Sequence, residues 1–320
     1  MRRLALTALF AVACGALPAH AQTLALAYHK GDVHKYSFQS TSTENIELGV
    51  IGVPAKLDNL CMSGTCLTAH FTALETTTVQ SVDSSGVADL TIALSNIVIK
   101  AQSNGTTNTT TGLTMPVLEI KIAADGRLLS IDGMSYGNGF PFGMGIGMGS
   151  GLISAVLPDT PVRPGDTWSK DYDQANPLGS GAVQITTKSK YLRDESFQGV
   201  NAAVVETASS AAVDFTVDPS KLVPSTSVTT PKVDSPSSPA PSFTLPAFGA
   251  GSSEGITIKG TTTSDVTTWF DPGDHRILKS HMTGTTADNL SFVTAPGSTI
   301  PGMIGPMSIK GDDTVDLLPA

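Results

Sequence analysis

Charge, aromatic rings and long apolar runs are all scarce in this chain. Only 15% of the residues are charged and 6% aromatic. Acids outnumber bases by 28 to 19 and no run is basic, which argues against a nucleic-acid or anionic-membrane partner. Beyond the N-terminus no stretch is apolar for long enough to cross a bilayer as a helix. Clustered metal ligands, a phosphate-cradling loop and a dinucleotide fingerprint are also missing, so no metal and no cofactor is expected. There are three cysteines.

What is plentiful is Thr, Ser, Gly and Val. β-Branched side chains pack well on a pleated, half-buried surface, so a mainly β protein with little helix is expected. The N-terminus reads as an export signal. Arg2 and Arg3 precede an apolar core from Leu4 to Ala16, and Ala19-His20-Ala21 forms a small-x-small cleavage site. Its removal takes two bases and no acid, leaving the mature chain more acidic than the −9 of the whole sequence. A periplasmic or extracellular setting follows. Ala11-Val12-Ala13-Cys14 offers an alternative, lipid-anchored route. Cys61 and Cys66 bracket a Gly-containing loop, and in an oxidising compartment a disulfide is the simplest outcome, with free thiols or redox chemistry as alternatives.

The chain divides into a signal (1–21), a first β half (22–132), a Gly/Met-rich connecting segment (133–156) and a second β half (157–320). An irregular Pro/Ser-rich insertion (218–251) interrupts the second half, with seven prolines from Pro219 to Pro246. Alternating runs predict an opening strand pair over 24–40 and a short strand over 44–56. Long hairpins are expected at 66–101 and 255–293, turning at Asp83–Gly86 and Asp271–Asp274. A polar hairpin tip is expected at 104–111, a short helix at 150–157, and a last hairpin over 307–318 turning at Gly311-Asp312-Asp313.

The two halves share landmarks in the same order. Lys30-Gly31-Asp32-Val33-His34 parallels Pro164-Gly165-Asp166-Thr167-Trp168. Asp125-Gly126-Arg127-Leu128 parallels Asp274-His275-Arg276-Ile277. Order and spacing together indicate an internal duplication, hence two related curved antiparallel sheets of half-barrel type. The run from Leu157 to Trp168, with Trp269-Phe270-Asp271-Pro272 and Arg276-Ile277-Leu278, resembles a group of bacterial secreted proteins of uncharacterised activity. They carry a P-D-x-P-V-x-x-G-D-x-W junction. That resemblance implies an envelope setting and no particular activity. In architecture the long curved strands are similar to the half-barrels of lipoprotein carriers of the LolA and LppX type.

Chemistry is sparse. Gly133-Met134-Ser135-Tyr136-Gly137 matches the nucleophile-elbow pattern of serine esterases, with Asp159 or Asp166 and His275 or His281 as partners. A helix-hostile Gly run follows it, however, and the pattern needs a strand before and a helix after. No catalytic residue is assigned and no enzyme is expected. Met134, Phe140, Phe142, Met144, Ile146 and Met148 are too apolar for a solvated linker and are the candidate ligand-binding residues. The expectation is a non-catalytic exported protein that binds a hydrophobic small molecule or lipid in a groove. The alternative is a structural or protein-interaction module of the envelope, its protein partner unknown.

Overall fold

The computed structural model describes residues 21–50, 67–103, 106–115, 117–132, 154–175, 179–217, 253–294 and 304–320. Residues 1–20 of the expected signal, Cys61 and Cys66, the six candidate ligand residues from Met134 to Met148, Ser135 and the Pro/Ser insertion lie outside them. The described residues form twelve strands and no helix. In chain order these are β1 (Val33–Val50), β2 (Leu67–Val82), β3 (Ala88–Ser103), β4 (Thr106–Thr111), β5 (Leu118–Ile122) and β6 (Leu128–Asp132). They continue with β7 (Thr167–Ala175), β8 (Gly179–Phe197), β9 (Val200–Val217), β10 (Ser253–Asp271), β11 (Arg276–Thr294) and β12 (Ile304–Pro319).

Curved antiparallel architecture is what the sequence predicts, and the two halves share a single sheet. Its order is β6-β5-β3-β2-β1-β12-β11-β10-β9-β8-β7, with β4 on the side of β3. The C-terminal strand β12 joins them, pairing with β1 from Tyr36↔Pro319 to Val50↔Ile304 and with β11 from Ser280↔Leu317 to Leu290↔Met307. Strands of 16 to 19 residues must twist, and the twist brings the two ends of the sheet, β6 and β7, together so that it nearly closes.

Four local expectations change. Residues 24–29 are not a strand but an extended segment packed inside the barrel, with Leu24 fully buried. β1 runs on through 44–50, held there by β12 as far as Val50↔Ile304, while its pairing with β2 ends at Glu44↔Leu67. Gly311-Asp312-Asp313 is no turn, since β12 continues through it with ladder partners on both flanks. Residues 154–157 are extended and buried rather than helical. The polar tip expected at 104–111 holds strand β4, all six of whose residues are exposed.

Side chains alternate across the wall. On β10, Ile258, Thr262, Ser264, Val266, Thr268 and Phe270 are buried, while Lys259, Thr261, Thr263 and Asp265 are exposed. On β9, Glu206, Ala208, Ser210, Ala212 and Asp214 face outward. A barrel embedded in lipid shows the reverse, an apolar band outside. No helix among the described residues is long and apolar enough to cross a membrane.

One end of the barrel is filled by Leu24, Leu26, Ala155, Leu157 and Val162 packed against Val79, Leu90, Ile120, Tyr191, Val205 and Phe270. The backbone of 155–157 needs partners there, since water is excluded. Hydroxyls from the wall supply them. Thr268 Oγ1 accepts from Ala155 N at 2.8 Å, Thr207 Oγ1 accepts from Val156 N at 3.1 Å, and Ser189 Oγ donates to Val156 O at 3.0 Å. Trp168 Nε1 donates to the same carbonyl at 2.8 Å.

The two Gly-Asp turns are built alike. Gly31 (φ +93°) donates to Val79 O, and Asp32 O accepts from Val79 N. Gly165 (φ +100°) donates to Tyr191 O, and Asp166 O accepts from Tyr191 N. Each Asp side chain accepts from a backbone N–H three residues earlier, that of His29 at 2.9 Å or Arg163 at 2.8 Å.

The seam between β6 and β7 is latched by charge. Lys170 Nζ of β7 lies 2.5 Å from Asp125 Oδ2, both side chains being nearly buried, and Arg127 stacks over the Tyr172 ring at 5.5 Å. Burial opposes ionisation of Asp125. The hydrogen bonds from Lys170 and Arg127 outweigh it and hold the carboxyl below its ordinary value. Lys170→Met leaves Asp125 with one cation fewer and should cost about 1–3 kcal/mol in urea unfolding. Because the folded-state pKa is the depressed one, this contribution is present above the unfolded value of 3.8 and lost as pH falls through the folded value. The wild-type and variant stability curves should therefore converge in acid.

Candidate functional site

Three neighbouring cross-strand rows on the inner face carry the most unusual side chains of the barrel. In the first, Glu44 of β1 pairs with Gly311 of β12, which pairs with Thr286 of β11 and then Thr262 of β10. In the second, Ser42 pairs with Asp313, Gly284 and Ser264 in the same order of strands. In the third, Asp288 of β11 pairs with Gly260 of β10. Each row thus sets one carboxyl beside one glycine. Glycine inside a strand marks a close approach, and Gly311 and Gly260 each clear room for an acid, whereas Gly284 lies against Thr263 O and Ser264. A Cβ on Gly311 would stand 3.2 Å from Glu44 Cγ, and one on Gly260 would meet Asp288 Oδ1 at 2.1 Å. Gly260→Ala would therefore force Asp288 and its strand to shift.

These acids are buried without cations. Glu44 is 3% exposed and Asp288 1%. Ser42 Oγ donates to Glu44 Oε1 at 3.3 Å and also reaches Asp313, whereas Glu44 Oε2 and both oxygens of Asp288 have no partner among the described residues. Thr262 Oγ1 and Ser264 Oγ, buried on the same face, have none either. Burial, with the Asp313 charge adding to it, pushes the Glu44 carboxyl up to about 7. Burial alone pushes Asp288 up to about 6. Asp313, half-buried, is raised for the same reason. Glu75, a further inner-face acid opposite Tyr36, is also raised by burial although Thr77 donates to it at 3.1 Å.

Next to these rows lies an apolar layer. Phe38, Phe71, Ala73, Val266, Met282, Val315 and Leu317 cluster there, the two Phe rings meeting edge-on at 5.6 Å between centroids. Leu113 and Met115, only partly buried, pack on it from the segment between β4 and β5. Burial of Phe71 and Met282 contributes roughly 2–3 kcal/mol each. The interior is therefore amphiphilic: a greasy layer with a band of acceptors beside it.

The residues suggested by the esterase pattern are not gathered together. Asp159 pairs with Lys170, and Asp166 caps Arg163. His275 Nδ1 lies against Ala25 O at 3.1 Å, and His281 meets Asp316 at 2.7 Å on the outer face. Asp312 and Asp313, read as one acidic turn, point to opposite faces of β12. Among the described residues no group of three His, Cys, Asp or Glu could hold a metal ion. The acid–glycine rows were missed at the sequence level. Their signal was present in two strands as Ile258-Lys259-Gly260 and Ile309-Lys310-Gly311, a glycine at mid-strand in an otherwise alternating run.

No family model matches the chain, and no curated protein matches it. Among solved structures it aligns with OccK5 (OpdH) of Pseudomonas aeruginosa at 9% identity, over 90% of this chain and 98% of that one, with a TM-score of 0.18. So loose a superposition carries no argument about fold or function.

A pH dependence follows from the acids. An acid whose folded pKa is raised binds its proton more tightly in the folded state, so stability falls as pH rises from the unfolded to the folded value. For Glu44 that window is from 4.5 to about 7, and for Asp288 from 3.8 to about 6. The ligand-free protein should therefore be more stable at pH 5 than at pH 8. Glu44→Gln and Asp288→Asn should each recover on the order of 2 kcal/mol at pH 8, and at pH 5 most of the Glu44→Gln gain but only about half of the Asp288→Asn gain should be gone. Denaturant unfolding at the two pH values checks this.

Proposed function

We propose that this chain is a non-catalytic, exported envelope protein whose barrel interior holds an apolar or amphiphilic small molecule. One observation carries the proposal: the Phe38–Phe71–Met282 layer stands beside buried hydrogen-bonding groups that the described chain leaves without partners. Buried polar groups are nearly always satisfied, and an interior with unsatisfied acceptors beside apolar surface is matched by an amphiphile. Export rests on the signal-like N-terminus. The scattering of Asp159, Asp166, His275 and His281 favours a binding protein over a hydrolase. The matching Gly-Asp turns support a duplicated module, as in the half-barrel carriers that the strand pattern resembles.

Organic extraction of the protein purified from its native host, followed by mass spectrometry, should recover a lipid-like molecule in near-stoichiometric amount. Dodecanol should compete with it, and Met282→Gln should weaken dodecanol binding by roughly 1–2 kcal/mol, the apolar contact being lost. A protein recovered clean, and indifferent to dodecanol, is instead a structural or protein-interaction module.

A further inference from the structure

We propose that the three acid–glycine rows form a recognition site for the cationic amine head of an amphiphile, with its apolar part lying on the Phe38–Phe71–Met282 layer. The inference rests on the ligand-carrying function above and gives the ligand a chemical class.

The first observation is the composition of the inner face. Glu44, Asp288 and Asp313 are carried by three consecutive strands of the sheet, β1, β11 and β12, and no ion pair among the described residues involves any of them. Lys259, Lys310, Asp265 and Asp312 stand close in sequence but on the outward faces of β10 and β12. Of the inner-face bases, His34 and Arg276 sit at the far ends of β1 and β11, and Lys170 on β7 is engaged by Asp125 and Asp159. Glu75 adds a further acid rather than a base, and Tyr36 beside it donates to Ile277 O at 2.9 Å.

The second observation is independent of the acids. Thr262 and Ser264 place hydroxyl oxygens on the same face, 2% and 4% exposed, with no partner. Hydroxyls can donate or accept, so together with the carboxylates they suit a donor-rich group. A compact metal ion is a poor match, because neighbouring strands stand about 4.8 Å apart and carboxyls on β1 and β11 are two strands removed. Their spacing suits an ammonium group that moves between acceptors or an extended polyamine-like head. Three glycines keep side chains out of that space, and Met282, Val315 and Val266 form the apolar surface adjoining it.

The experiment compares three probes of one chain length on the full mature protein: dodecylamine, dodecanol and dodecanoate, each below its micelle concentration. An alkylammonium stays charged throughout, as lysine does with a pKa of about 10.4. At pH 8 dodecylamine should bind at least ~10-fold more tightly than dodecanol, and dodecanoate more weakly than either. That preference should shrink as pH is lowered from 8 to 5.5, because protons compete for the same carboxylates. In the Glu44→Gln/Asp288→Asn protein the amine and the alcohol should bind alike, with alcohol binding retained. Equal binding of all three probes by wild type, or tighter binding of dodecanoate, overturns the inference while leaving the ligand-carrying function intact. Failure of dodecanol and dodecylamine alike overturns both. Should the double variant fail to fold, the wild-type ranking and its pH dependence decide the matter alone.

Discussion

The pairing of β12 between β1 and β11 is the constraint on which the rest depends. The last strand of the chain closes against the first, so the sheet that began at Val33 is completed only by residues after Ile304. Contacts of such long sequence separation form late and slowly, because loop-closure entropy must be met before they stabilise anything. Without β12 there is no continuous wall from β1 to β11. Glu44 then has no Gly311 beside it, and Gly284 has no Asp313. The apolar layer would be cut as well, since Val315 and Leu317 lie on the same strand.

A core of this kind is costly to build. Carboxyls and hydroxyls occupy positions that valine or leucine would fill with gain, and a buried polar group without a partner costs free energy comparable to a lost hydrogen bond. Native sequences keep such groups where they serve function, and local rule-breaking at otherwise consistent strands is where function is to be sought. The contrast with the other end of the barrel is instructive. There, Thr207, Thr268 and Ser189 are equally buried, yet each is matched to a backbone group of residues 155–156. The same fold thus matches these three hydroxyls at one end and leaves Glu44, Asp288, Thr262 and Ser264 unmatched at the other.

Much of the fold was legible. β-Branched alternation and turn residues located β2, β3, β10 and β11 nearly to the residue, because those turns are local chemistry. Asp83–Gly86 and Asp271–Asp274 close hairpins whichever sheet they join. Gly311-Asp312-Asp313 misled for the complementary reason: its residues favour turns, and only the non-local partners Glu44 and Thr286 hold it extended. Of the site, only the mid-strand glycines Gly260 and Gly311 left a mark in the sequence. Glu44, Asp288 and Asp313 are remote in sequence, and ordinary alternation hides which face an acid takes until the register is known. Sequence reasoning looked to the Met-rich segment instead, because concentrated composition is visible locally and a cross-strand row is not.

The way the two leading segments are placed has a further consequence. Residues 25–27 dock on the β10–β11 turn, where Ala27 N donates to His275 O, although Leu26 also reaches Ala124. Residues 155–157 dock on the β5–β6 turn, where Leu157 N donates to Asp125 O and Ala155 O presses on Gly126. Each half therefore caps its neighbour, as two hands clasp. Displacing either segment would therefore uncover a turn that belongs to the other half.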